Sequence, residues 1–119
     1  QKSDEEAGKW FSLSADKGYP QALFQMGVIY LNGQCGFKQS DELAAKFLVL
    51  AAAKGIPEAL FNLGILYEHG RGVQRSLSYA KHIYEIANGL GISEAKTRLD
   101  HVLQFTDQHL NVYGTFVKF

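Results

Sequence analysis

The residues best suited to metal or nucleophilic chemistry in this chain are four histidines and a single cysteine. The histidines are His69, His82, His101 and His109, and none stands at His-Glu-x-x-His or similar spacing. His69 falls near an expected helix C-terminus, where a cation is favoured. His82 aligns with the aromatic residues Trp10 and Phe47 and is expected to be packed. His101 and His109 are eight residues apart, across an expected helix end. Cys35 lies in Gly33-Gln34-Cys35-Gly36 and is expected to be a small residue in a loop. One cysteine supports neither an internal disulfide nor a cysteine-based zinc set. Gly70-Arg71-Gly72 lacks the Lys-Ser/Thr of a phosphate-binding loop and follows no strand, so its glycines serve turn geometry. Asp4, Glu5 and Glu6 suit the first turn of a helix. No catalytic, cofactor-binding or metal-ligating residue is therefore expected, no cofactor is implied, and the chain is not expected to be an enzyme.

The bulk properties narrow the class further. The chain has 119 residues, 46% of them apolar and 20% charged, and a formal net charge of zero. This suits one globular unit with no basic excess for nucleic acid. No apolar run approaches the ~18 residues of a membrane span. The first residues are polar and acidic, so no signal peptide is expected, and the start at Gln1 rather than Met suggests part of a longer chain.

The elements are set by an internal repeat. Ala15 to Gly33 and Ala52 to Gly70 match at a constant offset of 37, with Ala, Lys, Gly, Pro, Ala, Leu, Phe, Gly, Tyr and Gly coinciding. A weaker third copy places Gly91-Ile92-Ser93-Glu94-Ala95 36 residues after Gly55-Ile56-Pro57-Glu58-Ala59. Ala80-Lys81 stands 35 residues after Ala45-Lys46, which implies one extra residue at Asn88-Gly89-Leu90. Beyond Leu99 the copy decays, and Asp100 stands where glycine is found earlier.

Each copy reads as a helix pair. Gly18 and Gly55 end first helices, Pro20 and Pro57 open second helices, and Ser40 and Ser76 stand as N-caps. Ala59, Leu60, Leu63, Leu66 and Tyr67 form an apolar face at three- and four-residue steps. Gly27 and Gly64 sit inside second helices at about 1 kcal/mol intrinsic cost, which predicts a close helix approach. Phe37 and Val73 are apolar residues in polar loops, read as plugs on the next pair. The expected helices are 4–17, 20–32, 41–54, 58–69, 77–88 and 93–105.

This pattern resembles the Sel1-like repeat family, a relative of the tetratricopeptide repeat. The first helices supply Ala7, Trp10, Phe11, Ala15 and Gly18, then Ala44, Phe47, Leu48, Ala51, Ala52 and Gly55. The second copy continues with Ala59, Leu63, Gly64, Tyr67, Gly70, Gly72 and Val73, and the first loop carries one extra residue. The resemblance covers roughly residues 5–103. It implies an all-α fold, a right-handed α/α solenoid of about three helix-turn-helix repeats. The expected repeat domain is 1–105, with repeats at about 5–40, 41–76 and 77–105. Residues 106–119 form an irregular C-terminal tail, with strand formers from Val112 to Phe119.

The resemblance implies a protein–protein interaction scaffold or adaptor that binds a partner segment on the concave face of its repeats. Matched first-helix positions give Lys9, Ser12, Lys46, Val49, Lys81 and Tyr84 as the expected partner-binding residues. The partners implied are proteins or peptide segments; nucleic acid, a membrane span and a small-molecule ligand are not expected. One alternative is a structural subunit docked through the tail. A remoter one is β-lactam hydrolysis, linked to cysteine-rich relatives whose repeats are stapled by paired cysteines; Cys35 alone cannot supply such a pair.

Overall fold

A computed structural model describes residues 2–104, and the tail from 106 onward, with His109, lies outside the described residues. The helices run in chain order: α1 Lys2–Asp16, α2 Pro20–Asn32, α3 Asp41–Ala53, α4 Pro57–His69 and α5 Leu77–Gly89. A sixth, α6, occupies 93–104 within the described residues. These follow the sequence expectations to within two residues at each described boundary. Each helix packs on its chain neighbours from α1 to α5, and α2 also touches α4. The architecture is an all-α solenoid of helical repeats.

Local chemistry sets the ends. Pro20 and Pro57 occupy the first turns of α2 and α4. The hydroxyls of Ser40 and Ser76 accept from the backbone N–H of Leu43 and Tyr79, satisfying donors that α3 and α5 leave open. Gly33 and Gly70 stop α2 and α4 in the left-handed conformation, at φ 64° and 66°.

The core is a strip of small and branched residues along the seams. Ala44, Leu48 and Ala51 of α3 are fully buried, as are Ala80, Tyr84 and Ala87 of α5. The glycines inside the second helices explain how the seams close. A β-carbon on Gly27 would stand 2.7 Å from Leu48 Cδ2, and one on Gly64 would stand 2.6 Å from Tyr84 Cε1. Both glycines exist because the next first helix pushes a large side chain against their backbone.

These contacts correct one detail of the repeat. Ser40 and Ser76, Ala44 and Ala80, Leu48 and Tyr84, and Gly55 and Gly91 are each 36 apart and play matched roles. The offset is unbroken through α5, so no extra residue lies at Asn88–Leu90. The expected match of Ala80 to Ala45 is replaced by Ala80 to Ala44.

Phe37 also differs from expectation. Its ring meets Tyr30 of α2 edge to face at 5.4 Å and lies beside Gly8 of α1. It therefore plugs its own pair, because the loop folds back on the helices that it leaves. Val73 likewise shares a depression with Glu42, Ala45 and Val49 of α3, in its own pair.

Candidate functional site

The first helices α1, α3 and α5 each turn one face away from the core. On this face, residues four apart stand one turn above another, which sets a column on each helix. The columns are Lys9–Leu13, Lys46–Leu50 and His82–Ile86, and they occupy equivalent repeat positions. Leu13 is 64% exposed, Leu50 50% and Ile86 52%. Three large aliphatic side chains thus recur, uncovered, where a helix face normally carries polar residues. Val49 and Tyr79 extend the apolar surface and are also exposed.

Two depressions open between these rows. One of about 330 Å³ lies between α3 and α5, floored by Leu60, Leu63 and Tyr67 of α4 and walled by Val49, Tyr79, His82 and Ile86. Another of about 530 Å³ is bounded by Glu42, Ala45, Lys46, Val49 and Leu50 of α3 with Gly72 and Val73. The rim alternates in sign, since Glu42 precedes Lys46 by one turn and His82 lies 3.4 Å from Glu85. The surface can hold apolar side chains while matching charge of both signs.

Of the expected partner-binding residues, the structure places Lys9, Lys46 and Val49 on this exposed face and leaves Ser12 half-buried. Tyr84 does not belong there. It has no exposed surface, because at the true offset of 36 it fills the buried slot of Leu48 rather than the outward slot of Val49. A shift of one residue turns a helical side chain by about 100°. The same shift half-buries Lys81 and brings His82, expected to be packed, into the outward row with a 77% exposed side chain. The outward third rung is therefore His82, Glu85 and Ile86. Leu13, Leu50 and Ile86 were missed by the sequence reading, although their equal spacing with polar neighbours was visible.

A second cluster was also missed. Glu68 of α4 is only 5% exposed. Its Oε1 accepts from the Tyr84 hydroxyl at 2.8 Å and from Arg98 Nη2 at 2.8 Å. His69 Nε2 and His101 Nε2 stand 3.8 and 3.9 Å from Oε2. Arg75 Nε donates to the Glu68 backbone oxygen at 3.0 Å. Burial raises the Glu68 pKa, but the hydrogen bonds from Tyr84 and Arg98 and the nearby positive charge outweigh it and hold it below the usual value. Burial and the adjacent carboxylate push the Tyr84 hydroxyl well above its ordinary range. The cluster is held charged and joins α4, α5 and α6. Glu68 stands 37 residues after Leu31, so this position alone suggested an apolar residue.

Among the described residues no group of three or more His, Cys, Asp or Glu side chains is placed to hold a metal ion. Cys35 is a free, half-buried thiol in the first loop, with φ 56°. No helix of the described residues is long and apolar enough to cross a membrane.

Comparison with known proteins fits this geometry. The model of the Sel1 repeat matches residues 1–19, 20–56 and 57–92. The two full matches each span a second helix and the first helix that follows it, α2–α3 and α4–α5. The crystal structure of a Sel1 repeat protein from Oxalobacter formigenes superposes with a TM-score of 0.73 at 34% identity, covering 78% of this chain and 69% of that one. The structure of c5321, a protective antigen present in uropathogenic Escherichia coli strains and displaying an SLR fold, gives 0.78 at 29% identity. That match covers 84% of this chain but 21% of the Escherichia coli protein. A search among curated proteins returned no match. With the repeat model matched across residues 1–92 and its glycines and helix pairs in place, the chain belongs to the Sel1 repeat family.

Proposed function

We propose that the chain is a protein-interaction scaffold that binds an amphipathic segment of a partner across the exposed faces of α1, α3 and α5. Members of the Sel1 repeat family generally serve as protein–protein interaction scaffolds. The observation that carries this reading is the ladder of Leu13, Leu50 and Ile86, exposed at equivalent positions. Covering one such side chain is worth about 1.5–3 kcal/mol of transfer free energy. Extended binding along repeated faces is also what a solenoid offers. Lys9, Lys46 and His82 on one side of each rung and Glu42 and Glu85 beside them set the partner's register through charge.

The test is a double substitution, Leu50→Asp with Ile86→Asp, which leaves buried positions untouched. Partners recovered by cross-linking and mass spectrometry are expected to fall at least tenfold while circular dichroism stays unchanged. Equal recovery from parent and variant at matched concentration would defeat the assignment.

A further inference from the structure

The two complete seams share one rule, and α1 carries half of it. In the first seam, Gly27 of α2 seats Leu48 of α3, and Tyr30 stacks on Phe47 with ring centroids 5.8 Å apart and planes 11° apart. In the second, Gly64 of α4 seats Tyr84 of α5, and Tyr67 meets Tyr79 at 4.6 Å. A second helix thus offers Gly-x-x-Tyr, and the following first helix offers a large side chain for the glycine and an apolar neighbour for the tyrosine ring.

At the matched positions of α1 stand Phe11 for Leu48 and Trp10 for Phe47. Among the described residues no second-type helix covers them. Trp10 is 63% exposed, and its described ring neighbour is Phe11 on its own helix, at 5.4 Å. Phe11 is half-buried, whereas Leu48 and Tyr84 are fully buried; Ala7 is half-buried, whereas Ala44 and Ala80 are fully buried.

We propose that the face of α1 formed by Ala7, Trp10 and Phe11 is a docking surface for the second helix of a further Sel1-type repeat, with glycine against Phe11 and an aromatic ring three residues later against Trp10. This surface lies at one end of the stack and is distinct from the ladder. A second copy of the chain fits it poorly. Its α2 and α4 already spend their Gly-x-x-Tyr faces on α3 and α5. Its α6 carries Asp100 and Leu103 where α4 has Gly64 and Tyr67. Asp100 would hold the backbones apart and set a carboxylate against the Phe11 ring.

Trp10 is the chain's only tryptophan, so its fluorescence reports this face alone. The full chain is made with a copy of residues 57–76 appended before Gln1, which supplies one second helix and its native loop at high effective concentration. Trp10 emission is expected to shift to the blue and acrylamide quenching to fall several-fold. The same fusion with the Gly64→Asp change in the appended copy is expected to leave Trp10 as accessible as in the parent. Unchanged quenching in the first fusion, or equal shielding by both, overturns the proposal. So does sedimentation showing that the parent chain self-associates with Trp10 already shielded. Circular dichroism of both fusions, with the added helix content present, separates a misfolded copy from a surface that refuses it.

Discussion

The α2–α3 and α4–α5 seams do the same mechanical task with different chemistry. The first is apolar: Leu48 lies on Gly27, and Leu31 packs beside it against the core. The second places Tyr84 on Gly64 and Glu68 where Leu31 stands, and adds Arg98 from α6. Tyrosine and glutamate come together because each resolves the other's burial. The hydroxyl needs an acceptor, the carboxylate needs donors, and Arg98 balances the charge. The backbone geometry is unchanged, which teaches that the glycine contact defines the repeat and that the chemistry around it is free to vary.

The sharpest way to separate the seams is to add one methyl group to each. Alanine is a better helix residue than glycine by about 1 kcal/mol, so any net loss measures the clash. Gly64→Ala is expected to cost about 2–3 kcal/mol in urea unfolding, since the Tyr84 ring is pinned by its hydrogen bond. Gly27→Ala is expected to cost about 1 kcal/mol, because Leu48 can change rotamer. Equal costs would mean that the Glu68 bond does not fix the ring.

The next effect comes from the polar cluster. Glu68→Leu copies Leu31 but strands Tyr84 and Arg98. It is expected to cost about 2 kcal/mol, less than a fully buried case because the Arg98 side chain is 34% exposed. Glu68→Leu, Tyr84→Leu and Arg98→Asn together rebuild the first seam's residues and are expected to unfold within about 1 kcal/mol of the parent. A triple variant as weak as the single one would show that the second seam depends on its polar contacts.

A smaller difference appears with pH. The Glu68 pKa is depressed in the folded chain, so its contribution is complete above the unfolded value of about 4.5. It is lost as pH falls through the lower folded value. Urea midpoints of the parent are expected to drop more steeply below pH 4.5 than those of Glu68→Gln. Parallel curves would count against the ion-paired carboxylate.

The smallest expected effect concerns the loops. Arg71 pairs with Asp41 through two hydrogen bonds, of 2.9 and 3.3 Å, and holds the Asp41 carboxyl below its usual pKa. Gln34 stands at the matching place in the first pair. Arg71→Ala is expected to cost about 0.5–1 kcal/mol, and the loss should shrink at high salt. Gln34→Ala should show neither effect.

The sequence by itself determined the helices, their caps and their pairing. Those signals are local: Ser40 and Ser76 cap within three residues, Pro20 and Pro57 open helices by their own ring geometry, and Gly27 and Gly64 announce a contact by recurring where glycine is costly. The tertiary structure decided which residues of a helix face inward once the third copy had weakened. Ala80 matched Ala44 and Ala45 equally well as a letter, and only the seat against Gly64 fixed the choice, turning Tyr84 in and His82 and Ile86 out. It also assembled Glu68, Tyr84 and Arg98 from three helices, a grouping that no periodic pattern encodes. Burial and pairing depend on what another helix brings, so they become legible only when the helices are stacked.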